Sequence, residues 1–279
     1  MVTPNDIQKI LGAVPLGTKQ ETSVRQHTTR LDNTGTKGQQ KVGFTKHKLI
    51  KSGKMFEVYE YEHPVRYGST GKKRAHTQRK KSSRSEEHRA RNIVRAGFTL
   101  KRLAFLNFSE NDKFITLTFN NEQEFDINNL SECLPFYQKF KRKLNARYKN
   151  VKYITVPEFQ KRGAVHYHIL CNIPKITQKA MQGLWPHGFS KVLAVKSATH
   201  LAFYLTKYLR KRFDDPRKQG HRLFYTSRGL KRPTTVYGPF AEALTNKLKK
   251  DQSDAVQYEN SYETEHNGTT DYKQYVKEK

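Results

Sequence analysis

The stretch Glu158-Phe159-Gln160-Lys161-Arg162-Gly163-Ala164-Val165-His166-Tyr167-His168 decides how this chain is read. Two apolar, β-prone segments, Tyr153 to Phe159 and Val165 to Leu170, flank Lys161-Arg162-Gly163. That pattern reads as two antiparallel strands joined by a short turn. Side chains at i and i+2 of a strand share a face, so the imidazoles of His166 and His168 can reach one cation. If Gln160 pairs with Ala164 across a three-residue loop, Glu158 falls opposite His166 with its carboxylate on the same face, and His168 becomes its diagonal neighbour. Gly163 stands where such a loop needs a left-handed residue. A two-residue loop would set Glu158 opposite Tyr167, on the wrong face, and Gln160 is the reserve ligand. Two imidazoles and a carboxylate leave open positions around a divalent ion. Mg²⁺ or Mn²⁺ suits phosphate chemistry, and zinc is the competing occupant of a His-rich set.

Some forty residues further on stands Tyr204-Leu205-Thr206-Lys207-Tyr208-Leu209-Arg210-Lys211, inside a segment from Ser197 to Arg212 that reads as a helix. Positions i and i+4 of a helix share a face, so Tyr204 and Tyr208 can present two phenols to one site. A phenol with a pKa near 10 is mostly protonated at neutral pH and needs a base or a nearby positive charge to attack phosphorus. Lys207 and Lys211, each three residues after a tyrosine, can supply that charge. A His-x-His strand and a Tyr pair are each ordinary structure when met alone. Together they combine an electrophilic activator with a nucleophile.

The surroundings give an α+β order. Phe114-Ile115-Thr116-Leu117-Thr118-Phe119 reads as a buried strand, and Leu130 to Tyr148 as an amphipathic helix with Leu134, Phe136, Tyr137, Phe140 and Leu144 near helical spacing. A helix follows Pro174, ending at Trp185-Pro186-His187-Gly188-Phe189, and Ser190 to Ala194 is another strand. The organisation expected is a flexible arm over 1–41, a small β element and basic linker over 42–83, a main domain over 84–240 and a polar tail over 241–279. In the β element Lys46 to Ile50 pairs with Met55 to Tyr61 across Ser52-Gly53. Ser83 or Ser85 caps a helix whose first turn carries Glu86 and Glu87, with Gly97 as a point where it can break.

Charge bounds the substrate. Lys and Arg number 53 against 25 Asp and Glu, a formal net charge of +28, with a pI of about 10.0 and a mean hydropathy of −0.89. Such an excess fits an electrostatic partner such as nucleic acid, and binding that weakens with salt. A basic ribosomal protein or an anionic membrane surface would carry similar charge. Residues 72 to 102 hold the densest concentration, from which Arg79, Lys80, Lys81, Arg84, Arg91 and Arg95 are the candidate phosphate contacts, with Tyr59 and Tyr61 as stacking rings. No run approaches a membrane span and the polar start is unlike a signal peptide, so a cytoplasmic protein is expected. Cys133 and Cys171, far apart and without Cys-x-x-Cys spacing, read as buried free thiols.

In order and spacing, the 114–119, 158–168 and 204–211 segments resemble the three motifs of rolling-circle replication initiators in the HUH endonuclease superfamily. Trp185-Pro186-His187-Gly188-Phe189 and Tyr225-Thr226-Ser227-Arg228-Gly229-Leu230-Lys231-Arg232-Pro233 resemble flanking segments in initiators of plasmids and single-stranded DNA phages. The resemblance spans roughly residues 84 to 240. It implies a central antiparallel, about five-stranded sheet flanked by helices, with the basic N-terminal extension and polar C-terminal tail outside it. It also implies a cation on Glu158, His166 and His168, and a tyrosine that forms a 5′-phosphotyrosine while freeing a 3′-hydroxyl. The paired tyrosines would alternate, as in phage initiators with the same spacing. Expected partners are single-stranded or supercoiled origin DNA, with a helicase and DNA polymerase of a bacterial host. No phosphate-cradling Gly-x-x-x-x-Gly-Lys loop is present, so no attached helicase is expected. A transposase of the same superfamily and a non-enzymatic nucleic-acid binder are the alternatives. A relaxase, commonly built with three metal-binding histidines and an N-terminal tyrosine, fits less well.

Overall fold

A computed structural model of the chain describes residues 43–68, 86–195, 215–218, 220–250, 256–264 and 267–276. They fall into two compact units, one drawn from residues 1–91 and 232–279 and the other from 92–231. The predicted helix Ser197 to Arg212, with its tyrosines, lies outside the described residues, as do the arm and most of the basic linker. No described helix is long and apolar enough to cross a membrane.

The unit from 92 to 231 is built on β3 (Lys113–Thr118), β4 (Tyr153–Phe159), β5 (Val165–Cys171), β6 (Ser190–Ala194) and β7 (Tyr225–Thr226), in the antiparallel order β6-β3-β5-β4-β7. Its helices are α1 (Glu86–Asn107), which enters it at Asn92, α2 (Leu130–Arg147) and the short α3 (Gln178–Leu184). Alternation along the strands sorts the two faces. Ile115 and Leu117, Tyr167 and Ile169 point to the side of α2, where Cys133, Tyr137, Phe140 and Leu144 recur at helical spacing and are buried. Phe114, Ile154, Val156 and Leu170 point to the side of α1 and pack on Ile93, Leu100, Leu103 and Ala104.

α2 begins where the sequence supplies a cap. The Asn129 side chain accepts from the Ser131 N–H at 3.0 Å, and Glu132 accepts from the Asn129 side chain at 2.8 Å and the Asp126 N–H at 2.9 Å. α1 runs unbroken through a buried Gly97, because a glycine facing the core costs only about 1 kcal/mol against the packing on either side.

The other unit holds β1 (Gly43–Ser52), β2 (Met55–Tyr67), β8 (Thr234–Tyr237), β9 (Val256–Thr264) and β10 (Gly268–Val276), in the antiparallel order β8-β1-β2-β10-β9, with α4 (Gly238–Lys250). The predicted hairpin across Ser52-Gly53 is present, Gly53 taking φ 64°. The polar-tail reading of 241–279 is corrected. α4 packs Ala241 and Leu248 on Leu49, Phe56, Val58 and Tyr275, and β10 pairs along β2 from Thr270↔Tyr61 to Val276↔Met55. A strand with one buried face needs an apolar residue only at every second position, so Tyr272 and Tyr275 suffice among polar neighbours that lower the segment's mean hydropathy. The small β element is likewise part of a five-stranded sheet completed by the chain's last residues.

Candidate active site

The β4–β5 hairpin closes as its sequence requires. Gln160 N–H donates to Ala164 O at 2.9 Å, Gly163 N–H donates to Gln160 O at 3.0 Å, and Gly163 takes φ 102°. The loop is therefore Lys161-Arg162-Gly163, and the register pairs Glu158 with His166 and Val156 with His168. Glu158, His166 and His168 share the α1 side of the sheet.

On that face His168 Nε2 lies 2.7 Å from Glu158 Oε2, with both side chains only 5% exposed. His168 Nδ1 lies 3.3 Å from the hydroxyl of Thr116, its direct cross-strand partner. The His168 ring also stacks on Phe114, 5.8 Å between centroids and 18° between planes. The His166 ring is 6.0 Å from that of His168 and half-buried. Thr118 is the cross-strand partner of His166.

Among the described residues no group of three or more His, Cys, Asp and Glu side chains is gathered as a ready ligand set. The carboxylate and the imidazole are closed on each other instead. The donors nevertheless suit a cation in chemistry and in spacing. Two ligands at right angles around an octahedral ion with bonds of about 2.1 Å lie about 3 Å apart, slightly more than the hydrogen bond now joining them. Gln160, the reserve ligand, accepts from Arg162 Nε at 2.8 Å.

Tyr167 is turned to the opposite face, fully buried and stacked on Tyr137 at 4.5 Å, where burial raises its phenol well above the ordinary range. It is no nucleophile. Both cysteines are free and buried, and burial pushes their thiols up to about 12.

Two arginines that sequence reasoning passed over hold the hairpin loop. Arg162 donates through Nη2 to Phe119 O at 2.7 Å and through Nη1 to the Asn121 side chain, tying the loop to the end of β3. The Arg217 guanidinium lies 4.0 Å from the Phe159 ring centroid and donates to Gly163 O at 3.3 Å. Its other side is bound by Asp215, at 2.9 Å from Nε and 2.6 Å from Nη2, and the arginine holds that carboxyl below the usual range. The Asp-Pro-Arg spacing hints at the local pair; its contact with the hairpin has no sequence signal. For Thr116 the signal was the alternation Ile115-Thr116-Leu117-Thr118, which sets the threonines against the buried face.

Tyr204, Tyr208, Lys207 and Lys211 lie outside the described residues, as do Arg79, Lys80, Lys81 and Arg84. Arg91 and Arg95 are on α1, the first half-buried and the second exposed.

Comparison with known families gives one match. Residues 112–213 fit a family of replication-associated proteins of the ORF2 type. That span opens just before β3, contains Glu158, His166 and His168 and extends over the tyrosine segment, and the family agrees with the resemblance to replication initiators. No curated protein matches the chain. Among solved structures, the hypothetical protein ORF119 from Sulfolobus islandicus rod-shaped virus 1 is similar over 39% of this chain and 90% of its own, at 15% identity and a TM-score of 0.27. A TM-score that low does not establish a common fold.

Proposed function

We propose that this protein initiates rolling-circle replication by nicking one strand of its origin. The observation that carries the reading is the carboxylate–histidine row on β4 and β5, with Glu158 opposite His166 and 2.7 Å from His168, inside the span that fits a replication-associated family.

A divalent cation, Mg²⁺ or Mn²⁺, bound by Glu158, His166 and His168 would supply positive charge at a non-bridging oxygen of the scissile phosphate. The phenol oxygen of Tyr204 or Tyr208 attacks phosphorus while the bond to the 3′ oxygen breaks. The phenol's proton ends on the leaving 3′-hydroxyl, and the 5′ phosphate stays on the tyrosine as a diester. Lys207 and Lys211 stabilise the phenolate beside them. Because the number of phosphodiester bonds is unchanged, a 3′-hydroxyl can reverse the step and rejoin the strand without ATP. Arg79, Lys80, Lys81, Arg84, Arg91 and Arg95 hold the DNA by its phosphates. The freed 3′ end is a primer for a host polymerase, and a host helicase unwinds ahead of it.

The test is incubation of the protein with Mn²⁺ and a supercoiled plasmid carrying the DNA that flanks its own gene, followed by a denaturing gel. A nicked circle with protein attached to its 5′ end is expected. Tyr204→Phe and Tyr208→Phe should each retain some adduct and the double variant none. Salt-sensitive binding without any covalent product would leave only a nucleic-acid-binding role, and cutting confined to mobile-element ends would indicate the transposase.

A further inference from the structure

The strand pairings extend the site sideways. Thr118 pairs with His166 and, on its other edge, donates its N–H to Phe189 O at 2.9 Å; Thr116 pairs with both His168 and Lys191. One row across the sheet thus reads Phe189, Thr118, His166, Glu158, and the next reads Lys191, Thr116, His168. Ser190 is buried and Val192 packs with the α2-side core, so alternation turns Lys191 and Leu193 to the side of the histidines. The outermost strand, β6, bears an exposed strip there: Phe189 is 64% and Leu193 48% exposed, and Lys191 is exposed between them.

A single exposed phenylalanine is ordinary in a folded protein, but this one is held in place. Gly188 takes φ 151°, and a Cβ there would lie 2.3 Å from Thr118 O and 2.6 Å from Asn120 N. Only glycine lets the chain approach β3 so closely. Trp185 Nε1 donates to Thr118 O at 3.1 Å and Asn120 N–H donates to His187 O at 3.0 Å, which fixes both sides of that contact. The ring is therefore mounted rigidly, roughly 10 Å, or two strand spacings, from the strand that carries the histidines.

A flat apolar ring beside an ammonium group, on a chain of net charge +28, matches an unpaired base and its phosphate. We propose that Phe189 and Lys191 form a subsite for one unpaired nucleotide of single-stranded DNA, the base stacked on the phenylalanine and the phosphate at the lysine. The proposal rests on the nicking function for its position next to the scissile phosphate. A duplex, whose bases are already stacked, gains nothing from the ring, so the subsite favours melted DNA.

The test uses the full chain in EDTA, so that cleavage does not enter, with fluorescein-labelled oligo(dT) and a duplex of equal length. Phe189→Ala should weaken oligo(dT) binding about tenfold and leave the duplex nearly unchanged, while Phe189→Trp retains affinity. Lys191→Ala should lower the salt dependence of binding by about one power of the salt concentration. Unchanged oligo(dT) affinity in Phe189→Ala, or an equal loss on both DNAs, would overturn the proposal. Trp185 fluorescence reports whether the variant is folded, and Phe189→Trp remains a test if Phe189→Ala is not. Adduct formation by the same preparations with Mn²⁺ tests the nuclease separately: its absence with the stacking effect intact would remove the nicking function and not the subsite.

Discussion

The Glu158–His168 pair makes a quantitative claim. Both side chains are 5% exposed and joined at 2.7 Å, and a hydrogen bond involving a charged group contributes about 1.5–3 kcal/mol. Replacing either residue with alanine leaves the other in a water-poor position with one partner fewer, which costs about 3 kcal/mol or more. Replacing both removes the two groups together, so the double variant should be less destabilised than the sum of the singles. The difference expected is about 2 kcal/mol, roughly a thirtyfold effect on the folded-to-unfolded ratio. The assay is urea unfolding in EDTA followed by the fluorescence of Trp185, which is the chain's one tryptophan and is fully buried in the same unit. A second arm repeats it with Mn²⁺ at about a hundred times its dissociation constant. There the unaltered protein should gain about 2.7 kcal/mol and neither alanine variant should gain as much. Strictly additive single costs would show that the pair does not form. A gain from Mn²⁺ in Glu158→Ala equal to that of the unaltered protein would show that Glu158 is not a ligand.

The Thr116 hydroxyl can donate to or accept from His168 Nδ1, so it satisfies that nitrogen in either tautomer. Thr116→Val, which keeps the shape and loses the hydroxyl, should weaken Mn²⁺ binding about tenfold by calorimetry, and Thr116→Ser should restore it; equal affinity in all three proteins would refute the role. His187, half-buried and facing Lys139 and Lys143, has its imidazole held below the ordinary 6.5, chiefly by burial. The unfolded chain then binds a proton that the folded chain resists, so stability should fall as pH drops through 6.5 and level off below the folded-state pKa. Urea midpoints should show a smaller fall in His187→Asn, and parallel profiles for the two proteins would contradict the assignment.

Local chemistry alone dictates the hairpin and its register. Gly163 meets the left-handed requirement of a three-residue loop, and the period-two rule then commits Glu158, His166 and His168 to one face. The capped amphipathic α2 and the β-prone runs of β3, β4 and β5 were legible for the same reason: neighbours along the chain dictate them. The sequence also set a charge that favours a polyanionic partner. Segments whose structure comes from distant partners were misread. Val256 to Val276 looks like a polar tail until β10 finds β2, nearly two hundred residues earlier, and a strand's stability lies in that pairing rather than in its composition. The same limit hid the Arg217–Phe159 contact, the Thr116–His168 hydrogen bond and the row that runs from Glu158 to Phe189. Each is a cross-strand or loop-to-strand neighbour relation, created only when the sheet order β6-β3-β5-β4-β7 brings those residues side by side.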